Sequence, residues 1–234
     1  MIKIVRNITN LLSKERLEHY NNSIVEHTRN INLISKITPN MAMIEISIRN
    51  IVDFYLKQKE GDNWVINSEN DGIKNEKINI DKRINKKEQL SHKQYVSNFS
   101  FGKIIHLALS KSYDLEKEIF INLDQLDFTK YSSSNKNSYV YNNKKNSFDD
   151  IQKTEIILKL LLIIRNRCYH WENLLKIRQG QYNQKYPRIT TKFEVKPKEN
   201  KQDYCKSTYI GIDPSKIEVF LDDVFNIFLL EEKE

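Results

Sequence analysis

Apolar side chains recur at helical spacing over long stretches of this chain, and this periodicity constrains its fold more than any other feature. It is clearest from Pro39 to about Lys59, where one stripe of a helix would carry Ile44, Ile48, Ile51, Val52 and Tyr55. The 234 residues include 5 Gly and 4 Pro, a scarcity that argues against a turn-dense β-sandwich. The pattern predicts an all-α fold, a helical bundle.

The same periodicity predicts helices on both sides of this segment. A first helix is expected over residues 11–36, with Ser13 as its N-cap, and Thr38-Pro39 is expected to start the next one. A helix capped by Ser147 should carry the most apolar run of the chain, 156–164. Further helices are expected at three places: from about Tyr95, over Leu115–Phe128 and after Asp213-Pro214.

Polar stretches separate these helices within what the sequence indicates is a single helical domain, 1–234. Residues 66–93 are interpreted as a long insertion with a short helix, and residues 132–147 as a loop. Residues 178–212 form a loop-rich segment in which Ile189 to Val195 could form a short strand, and 213–231 would be the C-terminal helix.

The net charge of +7 suits a protein that neutralises phosphates, as a nucleic-acid binder must. An abundance of Lys, Asn and Ile is also typical of AT-rich genomes, so charge alone leaves the partner open. The two cysteines, Cys168 and Cys205, provide neither a disulfide framework nor a zinc site. The longest apolar run is far short of a membrane span, and the first residues lack the apolar region of a signal peptide. We therefore expect a cytoplasmic protein with no metal, no cofactor and no membrane contact.

The segment Arg165-Asn166-Arg167-Cys168-Tyr169-His170 follows the most apolar helix pattern and brings reactive side chains to its end. Arg binds phosphate as a bidentate donor, and His transfers protons near neutral pH, so the pair suits metal-free cleavage of RNA. On a regular helix Asn166 and His170 lie about 40° apart, whereas Arg165 and His170 lie about 140° apart. The alternative is a His that packs at a helix end and an Arg that complements the helix dipole.

A second group, Glu45, Arg49 and Asn50, lies on the helix predicted from Pro39. Glu45 and Arg49 are four residues apart and would face each other, by default as a weak exposed ion pair. Because they border the apolar stripe, they could instead point partly toward neighbouring helices and support the Arg165 site.

Taken in order, four stretches resemble the Abi-like (abortive infection, AbiD/AbiF type) proteins of the HEPN superfamily. They are Ile44-Glu45-Ile46-Ser47-Ile48-Arg49-Asn50, Trp64, Phe99-Ser100-Phe101-Gly102, and Ile164 to Glu172 with its Arg-Asn-x3-His core. The resemblance covers about residues 10–177. It departs from the family pattern at Lys103-Ile104, where an aromatic is frequent, and at Trp171, where a His or a small polar residue is common.

The resemblance implies a metal-independent endoribonuclease that uses the 2′-hydroxyl of RNA as nucleophile, in phage defence or toxin-like growth arrest. His170 would act as general acid or base, Arg165 would stabilise charge on the phosphate, and Asn166 would orient either. A homodimer would build a composite site, and an inhibitor or a guide-like RNA is a further candidate partner. Lys82, Arg83, Lys86, Lys87 and Lys93 are candidate RNA contacts, or else a solvated loop. The alternative function is a non-catalytic helical RNA-binding or protein-interaction module.

Overall fold

The computed structural model describes residues 11–85, 88–179, 185–195 and 205–228. The helices are α1 (Lys14–Glu18), α2 (Ile24–Glu60), α3 (Trp64–Asn67), α4 (Asp71–Ile84), α5 (His92–Asn98), α6 (Phe101–Ala108), α7 (Asp150–Tyr169) and α8 (Ile217–Ile227). The strands are β1 (Ser138–Tyr141), β2 (Lys144–Ser147), β3 (Ile177–Gln179), β4 (Lys185–Pro187), β5 (Ile189–Phe193), β6 (Cys205–Lys206) and β7 (Thr208–Ile212).

The core is helical and is built around α2, which contacts α6, α7 and α8. The buried face of α2 carries Ile34, Ile37, Met41, Ile44, Ile48, Val52 and Leu56, and α7 contributes the apolar run from Ile156 to Ile164. The described residues are mostly helical, which confirms the prediction of a helical fold class. The fold is not all-α, because the described residues also form three small antiparallel sheets, β2-β1-β6, β3-β4 and β5-β7.

The prediction that Thr38-Pro39 separates two helices was wrong, because α2 continues through Pro39. A proline inside a helix costs about 3 kcal/mol through the missing N–H and a clash with the preceding turn. Each buried Ile, Leu, Val or Met side chain contributes about 1.5–3 kcal/mol, so the seven buried apolar residues of α2 outweigh that cost. Thr38 does not cap a new helix but donates its hydroxyl to the Ile34 carbonyl at 2.6 Å.

The break predicted near residue 37 lies instead at Asn21 and Asn22, which both have positive φ, 54° and 58°. Asn tolerates this left-handed conformation better than most residues do. Ser13 caps α1 as predicted, accepting from the Arg16 N–H, and Ser23 starts α2 by accepting from the Glu26 N–H. The predicted helix over 11–36 is therefore interrupted by an asparagine turn that separates α1 from α2.

Two stretches interpreted as loops are more regular than the sequence analysis predicts. Residues 71–84 form α4, whose Ile73 and Ile80 are buried, within the stretch predicted to hold a short helix. The loop predicted at 132–147 is wrong, because β1 and β2 form a hairpin there. Asn142 and Asn143 make its two-residue turn with φ of 47° and 60°, the conformation that matches the twist of paired strands.

The helix predicted over Leu115–Phe128 was also wrong. The segment consists of turns and 3₁₀ helices that begin at Leu123 and Phe128, and Asn122 has a φ of 55°. Its apolar residues are buried, but side chains satisfy its backbone: Asn137 accepts from the Phe128 N–H and Lys153 donates to the Leu123 carbonyl. The apolar residues of this segment are spaced as in a helix because they are buried, although the backbone that carries them is irregular.

The C-terminal residues pack on the helical core. The strand predicted from Ile189 is β5, which pairs with β7 and contacts α7, and α8 packs on α2. Ser147 ends β2, so the cap of α7 is not Ser147 but Asp149, which forms a capping box with Gln152. Within the described ranges, none of the helices combines the length and apolarity that crossing a membrane requires.

Candidate active site

The helix α7 ends in a Schellman turn. The Glu172 N–H donates to the Arg167 carbonyl at 2.9 Å, and the Trp171 N–H donates to the Cys168 carbonyl at 3.0 Å. Trp171 has a φ of 54°, the left-handed conformation that ends such helices. Arg165 and Asn166 therefore lie in the last turns of α7, and His170 is its C-cap.

Arg165 is joined to α2 through Glu45. Its Nε donates to Glu45 Oε2 at 3.1 Å, and the second oxygen, Oε1, accepts from Arg49 Nη2 at 3.0 Å. The Glu45 and Arg49 side chains are 13% and 14% exposed, so this is not the weak surface ion pair that spacing alone indicates. One half-buried carboxylate thus holds two guanidinium groups from different helices.

Arg49 extends the same network to the segment that follows α5. Its Nη1 donates to the Val96 and Phe99 carbonyls at 2.7 and 2.8 Å. Ser100, the next residue, caps α6 by accepting from the Lys103 N–H at 3.1 Å. The stretches around residues 45–49, 99–100 and 165 are therefore connected by hydrogen bonds through Glu45 and Arg49.

The remaining surface of Arg165 faces outward. Its guanidinium carbon lies 4.5 Å from the centre of the Tyr169 ring, a cation–π contact, and its Nη1 is 3.5 Å from Asn166 Oδ1. In the part of the chain that the structure describes, Arg165 Nη2 has no hydrogen-bond partner. The side chain is 25% exposed, so these donors are accessible to an anion.

His170 and Asn166 are exposed beside Arg165. Among the described residues, nothing forms a hydrogen bond with the His170 ring. The His170 N–H still donates to the Asn166 carbonyl at 3.1 Å, so His170 keeps its helical position relative to Asn166, and the chain turns away only after it, at Trp171. An unpaired imidazole and a restrained guanidinium are thus presented at one helix end.

The other predicted site residues lie apart from this cluster. Asn50 is exposed and lines a groove of about 360 Å³ with Phe54 and Tyr55. Lys82 is exposed at the end of α4, where Arg83 donates to the Asn98 carbonyl at 3.1 Å. Lys93 is exposed on α5, and Lys86 and Lys87 lie outside the described residues.

A second charged cluster, which the sequence did not indicate, lies next to the same helix end. Arg167 Nη1 donates to Glu172 Oε2 at 2.5 Å, and Arg188, which lies between β4 and β5, donates to the same oxygen. Burial, together with the positive charge of Arg188, lowers the pKa of Arg167. Arg167 and Glu172 lie within the recognised motif, but nothing in the sequence connects them with Arg188.

Cys168 is buried between the reactive positions, and burial raises the pKa of its thiol to about 12. At pH 8 about 10⁻⁴ of the thiol would be ionised, so we expect no alkylation of Cys168 by iodoacetamide in the native protein and full alkylation in guanidinium chloride. Mass spectrometry of the peptide that contains Cys168 measures this directly. Rapid native alkylation would contradict the packing of α7.

Within the residues that the structure describes, no three His, Cys, Asp or Glu side chains are grouped so that they could hold a metal ion. Comparisons with protein-family models, with curated proteins and with solved structures found no match to this chain.

Proposed function

We propose that this protein is a metal-independent endoribonuclease of the HEPN type, acting in phage defence or toxin-like growth arrest. The observation that carries the proposal is that both residues lie at the end of α7: Arg165 is restrained by Glu45, while the exposed ring of His170 makes no hydrogen bond with any described residue. General acid–base catalysis needs an accessible imidazole, and phosphate recognition needs a guanidinium with accessible N–H groups.

In the proposed reaction the 2′-oxygen of a ribose attacks the adjacent phosphorus, and the bond from phosphorus to the 5′-oxygen breaks. His170 takes the proton from the 2′-hydroxyl or gives one to the leaving 5′-oxygen, and the His170 of a second copy or a water molecule makes the other of these two transfers. Arg165 donates to the non-bridging oxygens as negative charge grows on them, and Asn166 orients the phosphate. The products are a 2′,3′-cyclic phosphate and a 5′-hydroxyl, and no cofactor takes part.

The proposal includes a homodimer, because the resemblance implies that two copies face each other and that each supplies an Arg–His pair. Three large apolar side chains on α2, Met43, Ile46 and Phe54, are 52%, 52% and 58% exposed. They fall within one arc of the helix, opposite its buried face, and offer an apolar surface for a second copy.

A non-catalytic RNA-binding or interaction module is the second candidate function. It is favoured by the contacts of Arg165, whose guanidinium pairs with Glu45 and lies against Tyr169, as a purely structural arginine would. In that case the protein would bind RNA without cleaving it, and an inhibitor or a guide-like RNA would not be needed to restrain it.

The proposal is tested by incubating purified protein with total bacterial RNA in excess EDTA. We expect fragments that carry 2′,3′-cyclic or 3′-phosphate ends and 5′-hydroxyl ends. If the site is composite, the activity per protomer should rise with protein concentration over the range in which dimers form. Binding without fragments at any concentration would favour the non-catalytic module, and fragments that appear only when Mg²⁺ is restored would overturn the proposed chemistry.

A further inference from the structure

Trp171 occupies a position that the fold would assign to glycine. It is the left-handed residue of the Schellman turn after α7, with a φ of 54°. Glycine is favoured there because a Cβ atom crowds the neighbouring carbonyl, and a bulky side chain is unusual. A tryptophan at this position is therefore not explained by the needs of the turn.

Burial does not explain Trp171 either, because its side chain is 52% exposed. Its backbone is nevertheless held firmly. Arg16 Nη2 donates to the Trp171 carbonyl at 2.9 Å, and the buried Asn30 side chain donates to the next carbonyl, that of Glu172, at 3.0 Å. The structure thus presents an indole ring on a rigid turn, one residue beyond His170.

The side chains around this turn carry more positive than negative charge. Arg167 and Arg188 share a single oxygen of Glu172, and Arg178, which is exposed on β3, lies close enough to lower the pKa of Arg167 further, after burial and Arg188. Arg167 Nε and Arg188 Nε are buried and form no hydrogen bond with any described residue. One carboxylate facing several guanidinium groups leaves a local field that attracts an anion.

We propose that Trp171 and this arginine cluster bind one nucleotide of a single-stranded RNA, adjacent to the phosphate on which His170 acts. The base stacks on the exposed indole, and the arginines attract the phosphate that follows it. Stacking on an aromatic ring tolerates any base but needs an unpaired one, so this site would select single strands over duplexes. This inference rests on the proposed function and specifies how its substrate is held.

The test uses the His170→Ala protein, so that binding is measured without cleavage, and a fluorescein-labelled 12-nucleotide oligo(A) RNA. Adding Trp171→Gly should weaken binding by about 5- to 150-fold, the range that loss of one stacked base gives. Trp171→Phe keeps an aromatic face and should bind within about 3-fold of its parent. Because glycine suits the turn, Trp171→Gly should not lower the melting temperature.

Two further readouts separate stacking from a structural role. The chain has two tryptophans, and Trp64 is 2% exposed, so quenching of intrinsic fluorescence by oligo(A) should report Trp171 and should vanish in Trp171→Gly. Arg178→Ala should reduce the slope of log affinity against log salt by about one unit if the cluster neutralises a phosphate.

Each outcome bears on a different claim. The inference would be overturned if the Trp171→Gly variant and its parent bound oligo(A) equally, or if the parent did not bind it. A melting temperature lowered by several degrees in Trp171→Gly would also overturn it, because Trp171 would then have a structural role. Binding that depends on Trp171 in a protein whose wild type never cleaves RNA would support this site while removing the proposed nuclease. Cleavage that is insensitive to Trp171→Gly would do the reverse.

Discussion

His170→Ala is expected to lower the rate of RNA cleavage by about 10²–10⁴-fold, the usual contribution of a positioned general acid or base. The same change should alter the free energy of unfolding by no more than about 0.5 kcal/mol, because the ring is exposed and makes no hydrogen bond with the described residues. Cleavage rates measured in EDTA, together with denaturant unfolding, separate the two effects.

The matched control for this variant is His106→Ala. His106 is also an exposed histidine near the C-terminal end of a helix, α6, but that helix end carries no Arg-Asn motif. We expect His106→Ala to cleave RNA at the wild-type rate. Equal losses in both variants, or an unchanged rate in His170→Ala, would show that His170 takes no part in proton transfer.

The helical core could be predicted because its signal is local. The spacing of Ile44, Ile48 and Val52 defines one face of a helix whatever the rest of the chain does, and the structure buries that face. Pro39 shows the limit of local rules. A proline favours a helix start in isolation, yet the apolar residues on both sides of it are buried by α6, α7 and α8, and tertiary packing keeps the helix continuous.

The hairpin of β1 and β2 was missed for a different reason. Its turn residues, Asn142 and Asn143, carry a recognisable signal for a two-residue turn. The first strand has the sequence Ser-Tyr-Val-Tyr, but the second, Lys-Lys-Asn-Ser, is polar throughout, so the pair shows no alternating apolar pattern. For the segment over Leu115–Phe128 the error was the opposite one: a helix was predicted that does not form. Buried apolar residues occur there at helical spacing, but the backbone is not helical. Periodicity reports burial, and the backbone conformation depends on distant partners such as Asn137 and Lys153.

The candidate site was predictable in its parts but not in its connections. The sequence indicated Arg165 and His170, and it left open whether Glu45 and Arg49 form a weak exposed ion pair or point partly inward to support the Arg165 site. It could not show which atoms meet, because 120 positions separate Glu45 from Arg165. The structure shows that Glu45 is shared between Arg49 and Arg165. Arg188 could not have been found, because a short strand pair brings it to Glu172 and no local pattern records that contact.

Because its carboxylate is shared between two guanidinium groups, Glu45 is a position where loss of one charge should lower stability measurably. Glu45→Ala leaves two half-buried guanidinium groups without their partner. We expect the free energy of unfolding to fall by about 2 kcal/mol, below the 3–5 kcal/mol typical of fully buried pairs, because these side chains keep some exposure. Arg165→Ala removes one contact of a more exposed side chain and should cost about 1 kcal/mol.

Urea unfolding of Glu45→Ala, Arg165→Ala and the double variant measures these costs and the coupling between the two residues. Glu155→Ala is the control. Glu155 pairs with Lys159 on the same helix as Arg165, but the two side chains are 36% and 38% exposed, so loss of this pair should cost less than about 0.5 kcal/mol.

Because Glu45 also restrains the guanidinium proposed to hold the phosphate, Glu45→Ala should cleave RNA more slowly even at temperatures where it is folded. If Glu45→Ala is no less stable than the Glu155→Ala control, the carboxylate is not the link between α2 and α7; if it is less stable yet cleaves at the wild-type rate, the link is structural and Arg165 acts without it.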